Sequence, residues 1–273
     1  MTEFFGHQYT IAFLGITMAG VSTGFGALFV FLKRDFKRSE IDFYLGFSAG
    51  VMLAASFLSL LLPGFDFGRE LFAVESFLND LYACAIVLFG LLLGHLCLLY
   101  IHDKVPHDHF FHEKSVLPTT TSKKLPSAIL IVSAIALHNF PEGMAVGVGF
   151  GSGFESENIK QGLIIALAIT IQNLPEGLIV ALAFVANGHS KAKAVLYAFL
   201  AGMVEPVGAI FGLLLTQIAL VFLPLSLGFA AGAMIFVVGH EIIPDSQKEG
   251  NARQATNGLM LGVAVLCALE FLI

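Results

Sequence analysis

Apolar positions in this chain come in near-continuous runs of about 20 residues, separated by short polar stretches, and strand-like alternation is absent. Such runs are long enough to cross a hydrocarbon core of roughly 30 Å as helix. They fall near 9–31, 43–62, 81–101, 126–150, 161–185, 192–220, 224–243 and 256–273, which predicts eight transmembrane helices. The expected fold class is an all-α membrane protein, with residues 1–273 forming one domain and a histidine-rich loop over about 102–125. The start, MTEFFGHQYT, has neither a basic n-region nor a small-residue cleavage site, so the first span reads as retained.

Composition agrees. With 57% hydrophobic residues, 12% charged residues and a mean hydropathy of +0.85, the chain lies well outside the range of a soluble domain. Its net charge of -6 comes from a few loops and buried carboxylates and points to no nucleic-acid partner. Cys84, Cys97 and Cys267 fall inside predicted spans without paired spacing and read as core packing.

Charge distribution gives the orientation. The loops after spans 1, 3, 5 and 7 hold Lys33, Arg34, Lys37, Arg38, Lys104, Lys114, Lys123, Lys124, Lys191, Lys193, Lys248 and Arg253, whereas the opposite side has only Arg69 and Lys160. The basic side should be cytoplasmic, which places both termini outside. Two repeats then acquire meaning. GFSAGVM in span 2 (46–52) returns as GFAAGAM in span 7 (228–234), and HNFPEG in span 4 (138–143) returns as QNLPEG in span 5 (172–177). Each repeat sits on helices of opposite direction. Spans 1–3 would match spans 6–8, with 4 and 5 exchanging between them, a 3+2+3 inverted repeat of the kind found in secondary transporters.

The polar exceptions carry the chemistry. Glu142, Glu176, Glu205 and Glu270 lie within predicted spans, where a charge costs at least about 2.5–3.5 kcal/mol and ordinarily faces a site. Glu270 sits near the outer end of span 8, within reach of water, while the others are near mid-span. His138 and Glu142, like Gln172 and Glu176, are four apart and share a helix face. Pro141 and Pro175 each remove an amide donor and free the carbonyls of Leu137 and Ile171. Asn139 and Asn173 add amide oxygens, Glu205 a third carboxylate and Met52 a thioether. This mixed set suits a borderline divalent ion such as Zn²⁺, with Cd²⁺ also accommodated. With no lysine or arginine in the central spans, a cation is the evident counterion.

A second cluster, His240, Glu241 and Asp245 in GHEIIPDS, lies at the cytoplasmic end of span 7 and reads as a way-station on a metal exit route. Its HE pair lacks the second histidine of a zinc-protease HExxH, since Pro244 occupies that place, so hydrolysis is disfavoured. The cytoplasmic loop offers His102, His107, His109 and His112 for metal capture.

Together GFSAGVMLAASF, ALHNFPEGMAVGVGF, QNLPEGLIVALAF, VEPVGA and AAGAMIFVVGHEIIPDS resemble the ZIP (Zrt-/Irt-like protein) divalent-metal transporters, in particular the GufA-like prokaryotic branch. The resemblance implies eight spans, outward termini and a metal path between a bundle of spans 1, 4, 5 and 6 and the remainder. It implies one metal position from Met52, His138, Glu142, Gln172 and Glu176, and an adjoining one that shares both glutamates and adds Asn139, Asn173 and Glu205. It also implies zinc import by alternating access, a homodimer, a bacterial inner-membrane location and no catalytic cofactor. A metal-permeable channel and a membrane-embedded zinc hydrolase are the alternatives.

Overall fold

The computed structural model describes residues 2–32, 36–70, 77–104, 127–151, 156–186, 188–218 and 222–272, with the side chains of 2–9, 70, 103–104, 127–138, 156–158, 161, 186 and 217–218 outside that description. The described residues are helical apart from short turns and connections, with no strand among them. Eleven α-helices are present among them: α1 (Thr2–Ala27), α2 (Arg38–Ala55), α3 (Leu62–Glu70), α4 (Phe77–Lys104), α5 (Ser127–Gly151), α6 (Ser156–Ala186), α7 (Lys191–Gly202), α8 (Val204–Ile218), α9 (Phe222–Val237), α10 (Ile243–Gln247) and α11 (Ala252–Leu272). Seven described stretches are long and apolar enough to cross a membrane: Thr10–Phe31, Arg38–Arg69, Phe77–His102, Gly162–Val185, Lys191–Thr216, Phe222–Gln247 and Ala252–Leu272. The run expected at 126–150 coincides with α5, whose described side chains begin only at Asn139.

Three interruptions modify the expected straight spans. The run at 192–220 is two helices, α7 and α8, broken at Met203. Pro206 explains the break: it has no N–H to return to the Gly202 carbonyl, and it is tolerated in the first turn of a new helix. Two π-helical turns, Ser56–Leu61 and Val238–Ile242, sit at the ends of α2 and α9. Leu62 N–H reaches the Phe57 carbonyl and Ile243 N–H reaches that of Val238, each just before Pro63 or Pro244. A wide turn lets the ladder run up to a residue that cannot donate.

The helices pack as four pairs, α2 on α11, α9 on α4, α6 on α1 and α5 on α8. In each pair the described side chains of the first helix are mostly buried, and the second helix is peripheral. Backbone approach at glycine sets the pairing: Gly46 and Gly50 lie on the backbone of Ala255 and Leu259, while Gly228 and Gly232 lie on that of Val87 and Leu91. The peripheral helices turn Phe13, Phe25, Phe89, Leu92, Leu200, Phe211 and Leu261 outward. Such a belt is what a lipid-facing surface requires. It also corrects the expectation for the cysteines. Cys267 on α11 is exposed, and Cys84 and Cys97 on α4 are half-buried, because those helices line the perimeter; all three are free thiols.

One polar clasp fastens the end of α2 to the loop ahead of α11. Asp42 is fully buried, taking Arg38 Nε on one oxygen (2.8 Å) and Asn251 Nδ2 on the other (3.0 Å). Arg38 also donates to the Asp245 carbonyl at 3.1 Å. Replacing Asp42 with alanine removes the acceptor that Arg38 Nε and Asn251 Nδ2 share and is expected to cost about 2 kcal/mol, measured as a lowered thermal midpoint in detergent.

Candidate metal-binding site

The two cassettes face one another in the centre of the bundle, on the neighbouring helices α5 and α6. Both helices continue through their prolines, Pro141 and Pro175. The glycine that ends each cassette seats it on a partner helix. Gly143 lies on the backbone of Glu205 in α8, and Gly177 on the backbone of Thr23 in α1. This close seating brings Glu205 beside the cassettes.

Asn139, Glu142, Gln172, Asn173, Glu176 and Glu205 are all buried, with Glu142 and Asn173 at 0% exposure. The carboxylates of Glu142, Glu176 and Glu205 stand close enough for the charges to act on one another. Neither oxygen of Glu142 has a partner in full bonding geometry, although the Gln172 amide is near enough to act on it. Glu205 is held by one oxygen only: Asn173 Nδ2 donates to Oε1 at 2.8 Å and Thr23 Oγ1 at 3.3 Å, while Oε2 has no partner. Glu205 also occupies the first turn of α8, where unpaired amides favour negative charge.

The amides are ordered by what surrounds them. Asn139 Nδ2 donates to the Ala201 carbonyl at 3.2 Å and leaves Oδ1 buried without a partner. Asn173 Nδ2 donates to the Ala19 carbonyl at 3.1 Å as well as to Glu205, and its Oδ1 accepts from Gln172 Nε2 at 2.9 Å. Gln172 Oε1 in turn accepts from Ser48 Oγ of α2 at 3.3 Å. Met52 is buried one turn beyond Ser48 on the same helix face. The His138 side chain lies outside the described residues. Among the described residues, no three His, Cys, Asp or Glu side chains are gathered tightly enough to hold an ion. The central set therefore places carboxylates and amides side by side without drawing them around a single point.

At the end of α9 a second polar group forms around the π-helical turn. His102 Nδ1 lies 3.3 Å from Glu241 Oε1, and the His102 ring meets His240 edge-on at 4.6 Å. His240 stacks on Phe236, with ring centroids 5.0 Å apart. Asp245, four residues on from Glu241, accepts from Lys248 Nζ on Oδ1 at 3.0 Å. Of the loop histidines, His102 joins this cluster, and His107, His109 and His112 lie outside the described residues. Sequence reading missed Thr23 and Ser48. The signal for Thr23 was present: the GFSAGVM and GFAAGAM repeats are offset by 182 residues, and the same offset carries Thr23 onto Glu205.

Membrane-length helices that bury a mutually interacting set of carboxylates and amides define a polytopic membrane protein with an intramembrane polar site. The family model "ZIP Zinc transporter" matches residues 102–270. "Zinc transporter GufA" of Myxococcus xanthus is 41% identical over 256 residues, covering 93% of this chain and 95% of that protein. "Zinc transporter ZIPB" of Bordetella bronchiseptica is 40% identical over 259 residues, 95% of this chain and 80% of that protein. Human "Zinc transporter ZIP11" is 32% identical over 335 aligned residues, 97% and 98% of the two chains. The chain belongs to the ZIP zinc transporter family, whose matched members are named as transporters, not enzymes.

Proposed function

We propose that this protein carries zinc, and with it cadmium and related divalent ions, from outside to cytoplasm by alternating access through the central site. One observation carries the reading. Three buried glutamates from three helices act on one another, and residues 127–159, 161–190 and 194–247 contain no lysine or arginine. Buried carboxylates without a basic partner must be neutralised by a proton or by a bound cation, and a set of three on neighbouring helices offers a cation several ligands at once. The relatives' names make that cation zinc.

In this reading Met52, His138, Glu142, Gln172 and Glu176 form one metal position. Glu142 and Glu176 bridge to a second, which Asn139, Asn173 and Glu205 complete. Metal draws the separated side chains together, because each carboxylate gains a positive neighbour in place of a negative one. Sharing two ligands between positions lets the ion advance in short steps without a single deep trap. Inward release then runs past Glu241, His240 and His102, with Asp245 at the cytoplasmic edge and His107, His109 and His112 beyond it.

The proposed architecture has eight spans in a 3+2+3 inverted repeat with both termini outside, in a homodimer in the bacterial inner membrane. Support for the repeat comes from packing. Exchanging spans 1–3 with 6–8 and 4 with 5 turns the pair α2 and α11 into α9 and α4, and α6 and α1 into α5 and α8, all of which are packed pairs. The same exchange carries one π-helical turn onto the other, and the Asn173 bond to Ala19 onto that of Asn139 to Ala201. Carrier-type motion predicts saturable zinc uptake by proteoliposomes without single-channel currents. Discrete currents would establish a pore instead, and absence of flux under either assay would refute transport.

A further inference from the structure

A serine or threonine hydroxyl inside a helix ordinarily bonds a carbonyl three or four residues back on its own helix. Thr17, Ser22, Ser56 and Thr170 do so here, onto Phe13, Ala19, Met52 and Ala166. Ser48 of α2 does otherwise. It is buried, and its Oγ reaches across to Gln172 Oε1 of α6 at 3.3 Å.

The neighbouring bonds settle which way this contact runs. Asn173 Nδ2 donates to the Ala19 carbonyl at 3.1 Å and to Glu205 Oε1 at 2.8 Å, so Oδ1 is the atom it has left for Gln172. Gln172 answers with a donor, Nε2, at 2.9 Å. Its oxygen is therefore turned toward α2, and Ser48 is the donor there. Met52 is buried one turn further along the same face of α2, so the Gln172 oxygen lies on the side from which the proposed thioether ligand comes.

The internal repeat shows that the hydroxyl is one-sided. Matching GFSAGVM with GFAAGAM places Met234 on Met52 but Ala230 on Ser48, and exchanging the cassettes places His138 on Gln172. Serine goes with the glutamine, and alanine with the histidine. The chemistry of the two side chains gives the reason: either imidazole nitrogen can bind a metal, whereas an amide binds through its oxygen and not its nitrogen. Only the glutamine has a wrong end to present.

We infer that Ser48 is a positioning residue that determines specificity: it holds the Gln172 oxygen toward the first metal position. A single bond, that to Asn173, leaves the amide free to swing about it, and the bond from Ser48 fixes its plane. The fixed oxygen is a hard ligand beside the softer thioether of Met52 and imidazole of His138, and so favours zinc over cadmium.

The inference rests on the proposed metal position, and the test tells the two apart. Uptake of zinc and of cadmium into proteoliposomes would be measured over a range of metal concentrations. Ser48→Ala should raise the half-saturating zinc concentration about fivefold, with the cadmium value changed less than about twofold and both maximal rates kept within about twofold. Ser48→Thr keeps a hydroxyl and should stay within about twofold of wild type for both ions. A merely structural defect would instead impair both ions alike and lower the maximal rates. Equal shifts for zinc and cadmium, an unchanged or lower half-saturating zinc concentration in Ser48→Ala, or a threonine variant as impaired as the alanine one would each overturn the assignment. Zinc uptake by Glu142→Ala reports on the site itself: wild-type uptake there sinks the metal position, whereas loss there with wild-type ion preference in Ser48→Ala sinks only the role of Ser48.

Discussion

Replacing Glu142 or Glu176 with alanine is expected to reduce zinc uptake into proteoliposomes roughly 100-fold, the largest functional effect of any single substitution in this chain. The size of the loss follows from position. Each glutamate would serve both metal positions, so its removal takes a ligand from two places at once and halves the anionic charge contributed by the cassettes. Glu205→Ala removes a carboxylate from one position only, and uptake should fall about tenfold. The comparison requires equal amounts of monodisperse protein in the vesicles. Uptake at the wild-type rate in either cassette variant would show that the ion takes another path. A selectivity scan over zinc, cadmium, manganese, iron and nickel in the same vesicles would show which cations the carboxylate and amide set admits.

Much of this fold can be read from the chain because a bilayer demands it. A run such as 81–101 must be helix for want of other backbone partners, and α4 spans Phe77–Lys104 accordingly. The cassettes were equally visible, since a glutamate in an apolar run is costly enough to imply a site. What stayed hidden depends on neighbours far away in sequence. The turn at Met203 could have been suspected from Pro206, but the π-helical turns depend on how the ends of α2 and α9 meet their prolines. Ser48 and Thr23 are ordinary small polar residues of membrane helices, unremarkable until folding sets them against Gln172 and Glu205. The different surroundings of Asn139 and Asn173 could not be read from the motif, because the letters are the same and only their hydrogen-bond partners differ. Peripheral placement is also a tertiary property: the apolar sequence around Cys267 is the same whether a helix faces lipid or core, and the structure puts Cys267 at the exposed perimeter.

Placing a methyl group on the last glycine of either cassette should be the most damaging small change to the bundle. A Cβ at Gly143 would overlap the backbone of Glu205, and one at Gly177 the backbone of Thr23, so a side-chain rotation cannot make room. The helices must separate, and the neighbouring contacts of Gly147 with Ala209 and Gly26 with Leu174 loosen with them. Overpacking of this kind costs about 1–3 kcal/mol, which for a chain of this size lowers the thermal midpoint by roughly 2–12 °C. Gly143→Ala and Gly177→Ala should therefore melt earlier in detergent, while Gly239→Ala, which meets nothing within 4 Å, should melt with wild type. Function should suffer at Gly143 beyond the stability loss. The residue lies between Glu142 and the Glu205 backbone, so separation there moves the second metal position apart, and zinc uptake at a temperature where the variant is fully folded should still be reduced severalfold. A wild-type midpoint for Gly143→Ala would mean that α5 and α8 do not meet at this glycine, and the placement of Glu205 beside the cassettes would fail with it.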